Sequence, residues 1–131
     1  MNKKSVRKAL KTKAENLWKE VCKLRDRNMC ALCGSTSILQ IDHCFSRTNS
    51  ELFFDIKNGT TLCRSCHFKK SKNLQNYSRL VDRKVILREG QDWFTKAEEI
   101  SMSLKPYIWD VIKLEQLVIK LKEKRAEYLQ K

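Results

Sequence analysis

Two Cys-x-x-Cys pairs, Cys30–Cys33 and Cys63–Cys66, constrain this chain more than any other feature. Thiolates are soft ligands, and four of them fill the tetrahedral shell of a zinc ion and close it to further chemistry. One pair alone would be weak evidence, because redox motifs share the spacing. Two pairs within 131 residues argue for a single four-cysteine site that pins two loops. A chain of this length folds as one domain, 1–131, with a modest core, and a structural zinc ion adds folding free energy to that core. The separation between the pairs exceeds that of a simple zinc ribbon, so something is inserted between the knuckles. Six cysteines in a secreted chain would suggest disulfides, whereas in a reducing compartment they suggest metal. No apolar run is long enough to cross a bilayer, and the N-terminus lacks an apolar signal region. The expectation is a cytoplasmic protein, or a nuclear one in a eukaryotic host, with no membrane partner.

The insertion carries the chemistry. It contains Asp42-His43 and Asn58, and His67 follows Cys66 directly. The chain has two histidines, and both lie within or against the cysteine frame. Neither is needed by the zinc, because four cysteines already complete its shell. The remaining cysteines read as bland: Cys22 as a small core residue, Cys44 as an inward-facing one.

Charge narrows the partner. The formal net charge is +13, and Lys3, Lys4, Arg7, Lys8, Lys11 and Lys13 all precede the first acid, Glu15. Such a balance draws a protein to polyanions, nucleic acid before a membrane surface. The bland reading of such a run is a solvated tail or helix face, and the rest of the chain favours nucleic acid over it.

The pattern along the chain is α+β. Val6, Leu10, Leu17, Val21 and Leu24 recur at helical spacing, so residues 4–28 read as a basic N-terminal helix. A compact core follows over 29–75, with strand-like stretches at Ser37–Asp42 and Leu52–Ile56. Asn58-Gly59 is a turn signal, and a helix is expected from about Ser65. Residues 76–131 form a helical C-terminal extension. It holds a short helix that Asp92 could cap and a long one from Leu104 to Gln130, with Pro106 near its start. In the long helix Leu104, Tyr107, Val111, Leu114, Val118 and Leu121 make a short heptad row. That row serves either the protein's own core or a homodimer seam. Trp18, Trp93 and Trp109 read as core anchors, and Phe45, Phe53, Phe54 and Phe68 as packing of the middle domain.

These residues, in this order, resemble the HNH nuclease family. The matching elements are Cys30-Ala31-Leu32-Cys33-Gly34, Ile41-Asp42-His43, Lys57-Asn58-Gly59, Leu62-Cys63-Arg64-Ser65-Cys66-His67 and Lys69-Lys70-Ser71, with Trp18 and Arg25-Asp26-Arg27 as lead-in. The resemblance implies a ββα-metal site in which a hairpin carries Asp42-His43 and Asn58 and a helix carries His67, braced by zinc knuckles. It implies a DNA endonuclease in which His43 takes a proton from water and Asn58 holds His43 across the hairpin. Asp42 and His67 would bind Mg²⁺ or Mn²⁺. Lys69, Lys70 and Lys72, with Arg7, Lys8 and Lys11 on the first helix, would meet DNA phosphates, on a double-stranded or branched substrate. The layout is also similar to the NinG (Rap) recombination nucleases of lambda-like phages, which cut branched DNA, and this similarity implies a bacterial or phage-infected host cell. The shared features include Phe54-Asp55-x-x-Asn58, Lys70-Ser71-Lys72-Asn73-Leu74 and Tyr77. This chain departs from them in having Asp42 where they commonly have Gly, and His67 where they have Asn. Two other classes stay open: a non-catalytic zinc-ribbon DNA-binding module, and an assembly protein that dimerises through Leu104–Gln130.

Overall fold

A single long helix organises the molecule. The computed structural model describes residues 2–130; Met1 and Lys131, the ends of the expected domain, lie outside the described residues. Helix α1 spans Lys3–Arg25, ending before the expected boundary at 28, and Asn2 caps it by accepting from the Ser5 amide at 2.8 Å. Arg27 and Asn28 adopt left-handed φ and turn the chain toward the first cysteine pair. The buried stripe of α1 is Ala14, Leu17, Trp18, Val21 and Cys22. These residues recur every three to four positions, as one helix face must.

Two strands pair antiparallel beneath this face. Strand β1 is Leu39–His43 and strand β2 is Gly59–Cys63, with His43 opposite Gly59 and Leu39 opposite Cys63. The second strand is therefore not Leu52–Ile56. That stretch turns on itself through Phe53 N–H to Ser50 O and Asp55 N–H to Leu52 O, and ends in a 3₁₀ turn at Ile56–Asn58. Its apolar residues alternate because Leu52 and Phe54 are buried, not because the chain is extended. Nor does Asn58-Gly59 make a tight hairpin turn; Gly59 opens β2. A Cβ on Gly59 would stand 2.6 Å from both Cys22 Sγ and Trp18 Cζ2, so glycine here lets the strand meet α1.

Helix α2 covers Arg64–Ser71, and the Cys63 side chain caps it. Helix α3, Tyr77–Glu89, was not separately expected from the sequence. Gly90, at φ +97°, breaks it from α4, Gln91–Ser101; Asp92 sits in the first turn of α4 and Gly90 holds the cap position. The last helix, α5, is Val111–Leu129. It starts at Asp110, whose carboxylate accepts from the Lys113 amide at 2.8 Å. The segment before it, with Leu104, Pro106 and Tyr107, is a non-helical strap pinned to the loop between the strands: Tyr107 N–H meets Asn49 O at 2.9 Å, and Trp109 Nε1 meets Ser50 O at 3.0 Å.

Two apolar clusters flank the hairpin. On one side Leu114, Val118 and Leu121 of α5 pack with the α1 stripe and Phe54. The buried half of the heptad row is thus closed against the protein's own first helix. On the other side Leu62, Val81 and Val85 gather with Cys30, Cys63 and Cys66. Cys22 is buried in the first cluster, as expected, and Phe68 is not a packing residue at all, being 56% exposed. Among the described residues no helix is long and apolar enough to cross a membrane.

Candidate functional site

Each end of the hairpin carries a different kind of site. At the Leu39–Cys63 end, Cys30, Cys33, Cys63 and Cys66 bring their sulfurs within 4.8 Å of one another, an arrangement that can hold a metal ion. The backbone is shaped for it. Gly34, at φ +77°, closes the first knuckle with its N–H on Cys30 O at 2.9 Å, and Cys30 N–H reaches Ser35 O at 2.8 Å. Ala31 N–H ties that knuckle to Thr61 O of β2 at 2.9 Å. Burial works against a Cys30 thiolate, but N–H donors around it prevail and hold its pKa at about 7, so a ligand-ready anion is accessible at neutral pH. Cys33 alone of the four is exposed.

At the other end, His43 ends β1. Its ring is sandwiched between Trp18 at 4.2 Å and Phe53 at 4.4 Å, with interplanar angles of 16° and 15°. Its Nε2 lies 3.0 Å from the Phe53 carbonyl. A carbonyl only accepts, so Nε2 carries the proton and Nδ1 keeps the lone pair. Burial between the rings pushes the His43 pKa down, and the Phe53 carbonyl and then Asp42 only partly offset this. The imidazole is therefore neutral near pH 7.

Asp42 precedes it and points to the opposite face of β1, as strand alternation requires. It is 4% exposed. His67 Nε2 lies 3.5 Å from its Oδ1, and Lys70 Nζ lies 3.0 Å from the same oxygen. Oδ2 is buried without a hydrogen-bond partner. A buried, unpartnered carboxylate oxygen beside an imidazole nitrogen fits a hard divalent cation held by mixed oxygen and nitrogen donors.

Asn58 is fully buried. Its amide donates to Phe45 O at 2.9 Å and Leu52 O at 3.0 Å, and its Oδ1 accepts from Phe45 N–H at 2.8 Å. Its amide is committed to backbone on both sides, so it closes the loop that delivers Phe53 to His43. The lead-in Arg25-Asp26 does similar service. Arg25 donates to the carbonyls of Ile56 and of Gly59, the latter at 2.6 Å, and Asp26 accepts from Thr61 N–H at 3.0 Å.

The basic residues separate. Lys69 lies over the Tyr77 ring at 5.2 Å, and Lys72 is exposed at the end of α2. Lys70 is engaged with Asp42. Arg7 Nε donates to Trp109 O at 2.7 Å, which anchors the strap before α5. Lys8 is exposed and Lys11 half-buried on α1, remote in sequence from the hairpin contacts of Trp18. Two lysines not singled out in the sequence stand closer: Lys19 and Lys23 line a groove of about 410 Å³ with Leu39, Gln40, Ile41 and His67. Their signal was the i,i+4 spacing on the α1 face next to Trp18. The aromatic sandwich was also missed, because nothing in a linear sequence joins Trp18 to Phe53. Cys44 faces inward with its thiol 3.6 Å from Asp82 of α3 and is pushed up to about 12, by burial first and then by Asp82.

The family model described as HNH endonuclease matches residues 30–73. Over residues 30–73 the chain is similar to HNH endonucleases. The match runs from the first cysteine of the metal cluster through β1, the closing Asn58, β2 and α2 to just beyond Lys72. No curated protein and no solved structure matches the chain. The matched segment takes in the four cysteines, Asp42, His43, Asn58, His67 and Lys70. Trp18, Arg25 and Lys19 come from helix α1 outside it.

Proposed function

We propose that this protein is a divalent-cation-dependent DNA endonuclease that hydrolyses phosphodiester bonds, with Cys30, Cys33, Cys63 and Cys66 holding a structural zinc ion. The observation that carries the reading is the state of His43: Nε2 is fixed as the donor to Phe53, so Nδ1 is a preformed base. Nδ1 takes a proton from water as the water oxygen bonds to phosphorus. The P–O3′ bond breaks, and the departing oxygen is protonated by solvent. Asp42 and His67 would hold Mg²⁺ or Mn²⁺, which would neutralise phosphate charge and stabilise the departing oxyanion. Trp18 and Phe53 fix the plane of the base, and Asn58 holds the loop that brings Phe53 there. Lys19 and Lys23 offer the phosphates a basic wall beside His67, and Lys69 and Lys72 extend it. Lys8 and Lys11 would meet more distant phosphates.

The substrate we infer is double-stranded or branched DNA, the latter on the NinG similarity, and the compartment a reducing one such as the cytoplasm. A homodimer through Leu104–Gln130 would have to use the outward Ile108, Ile112 and Ile119, which are 64%, 69% and 57% exposed. The reading is tested by a cleavage panel of plasmid, single strand, duplex and four-way junction, each with Mg²⁺, Mn²⁺ or chelator. Cation-dependent cleavage that His43→Ala removes supports it. One observation favours a second reading, a non-catalytic DNA-binding module: Lys70 already neutralises Asp42. DNA binding with no cleavage under any cation would establish that one.

A further inference from the structure

Asp42 is served by a cation from its own chain. Lys70 Nζ lies 3.0 Å from Asp42 Oδ1 and 3.4 Å from the His43 carbonyl, to which it donates. The placement follows from α2: His67 and Lys70 are three residues apart, so both project from one face, over β1. A carboxylate buried this deeply is costly unless a positive charge answers it. Lys70 supplies that charge.

We propose that Lys70 is a resident counter-cation that holds Asp42 in position and is displaced when a divalent ion binds Asp42 and His67. Metal loading and release of the Lys70 ammonium toward the DNA backbone are then one event. The inference rests on the reading of Asp42 and His67 as ligands. His67 and Lys70 converge on the same oxygen, Oδ1. A divalent ion held there would stand close to a fixed ammonium, and the two repel strongly in a site with little water. Lysine is suited to give way. Its charge is compact, its stem is flexible, and its side chain here is 20% exposed, so an outward path exists. Asp82 of α3 is a second carboxylate within reach of the Lys70 field, and its Oδ1 accepts from the Cys44 thiol. A phosphate of bound DNA offers the displaced ammonium an anion outside the protein. By linkage, DNA should tighten metal binding and metal should tighten DNA binding.

The test is Mn²⁺ titration of the zinc-loaded protein without DNA, by calorimetry, on wild type, Lys70→Met and Asp42→Ala. Lys70→Met should bind Mn²⁺ about tenfold more tightly than wild type, because a charge-assisted contact no longer has to be broken. Equal or weaker binding by Lys70→Met overturns the counter-cation while leaving the metal site standing. Mn²⁺ binding that Asp42→Ala leaves unchanged, or no binding by any of the three, overturns the metal site and the counter-cation with it. Wild type supplies a measurement that does not depend on the folding of a variant. On acetylation with acetic anhydride and mass spectrometry, Mn²⁺ should raise labelling of Lys70 severalfold relative to the exposed Lys3. Labelling of Lys70 unchanged by Mn²⁺ overturns the proposal.

Discussion

His43 is held by three contacts, and each makes a measurable demand. Its pKa lies below the ordinary 6.5 because burial between Trp18 and Phe53 disfavours the charged ring. Cleavage should therefore be level at neutral pH and fall only on an acid limb with a midpoint below 6.5; kcat/KM against pH reads this directly, and a midpoint above 6.5 would remove His43 as the base. The same shift makes stability pH-dependent. Between the lowered folded value and 6.5 the unfolded chain binds more protons, so stability drops as pH falls through that window. His43→Ala should lower cleavage by roughly 10²–10⁴-fold while zinc content stays unchanged. It should also lower the melting temperature, since two rings lose the surface they stack on. Gly59 bears on the same point from below. Gly59→Ala pushes a methyl group against Cys22 and Trp18, so it should destabilise the fold by about 1–3 kcal/mol in urea unfolding and tilt Trp18 away from His43. An unaltered midpoint would mean that α1 yields more easily than its packing implies.

At the scale of elements, α2 joins the two sites. Its cap is Cys63, its first turn holds Cys66, and the half-buried His67 and Lys70 follow on the face toward Asp42. Cys63→Ser should therefore lose the metal, the cap and the helix together, seen as zinc-free protein without a cooperative transition; a stable zinc-free variant would refute a structural role for the cluster. The cysteine pairs, the histidines and the helical character of α1 are legible in the sequence because short spacings and period-3.6 apolar rows are local signals. The second strand is misplaced by the same kind of reading, because Gly59-Thr60-Thr61 has the composition of a loop and becomes a strand only through burial between α1 and α3. Leu104–Pro106–Tyr107 extends the heptad row by chance, yet the strap is held by Asn49 and Ser50, far away in sequence. Asn58 stands out by its place in a motif, but its use of Phe45 and Leu52 depends on loop geometry that no spacing reveals. Lys70 reads as a phosphate contact because its partner Asp42 is 28 positions away.

The whole molecule is closed by its last helix. Helix α5 lays Leu114, Val118 and Leu121 on the α1 stripe that includes Trp18. Removal of residues 111–131 should therefore unfold the protein, with loss of helical circular dichroism and of cooperative melting, instead of merely separating two subunits. A folded, truncated monomer would contradict the packing. Leu121→Ala, a milder change at the same contact, should cost about 2–5 kcal/mol in chemical denaturation. The hairpin imposes a further condition at this scale. Its two strands of five residues carry cysteine at one end and His43 at the other, about 15 Å away. Helix α2, capped by Cys63, also carries His67 and Lys70, so a metal ion at the cysteine end should help to hold the other end in shape. In reconstitution from the unfolded chain, order of addition then decides the yield. On the proposed reading, zinc first and Mn²⁺ second should give more cleavage activity than Mn²⁺ first; equal yields in either order would contradict it.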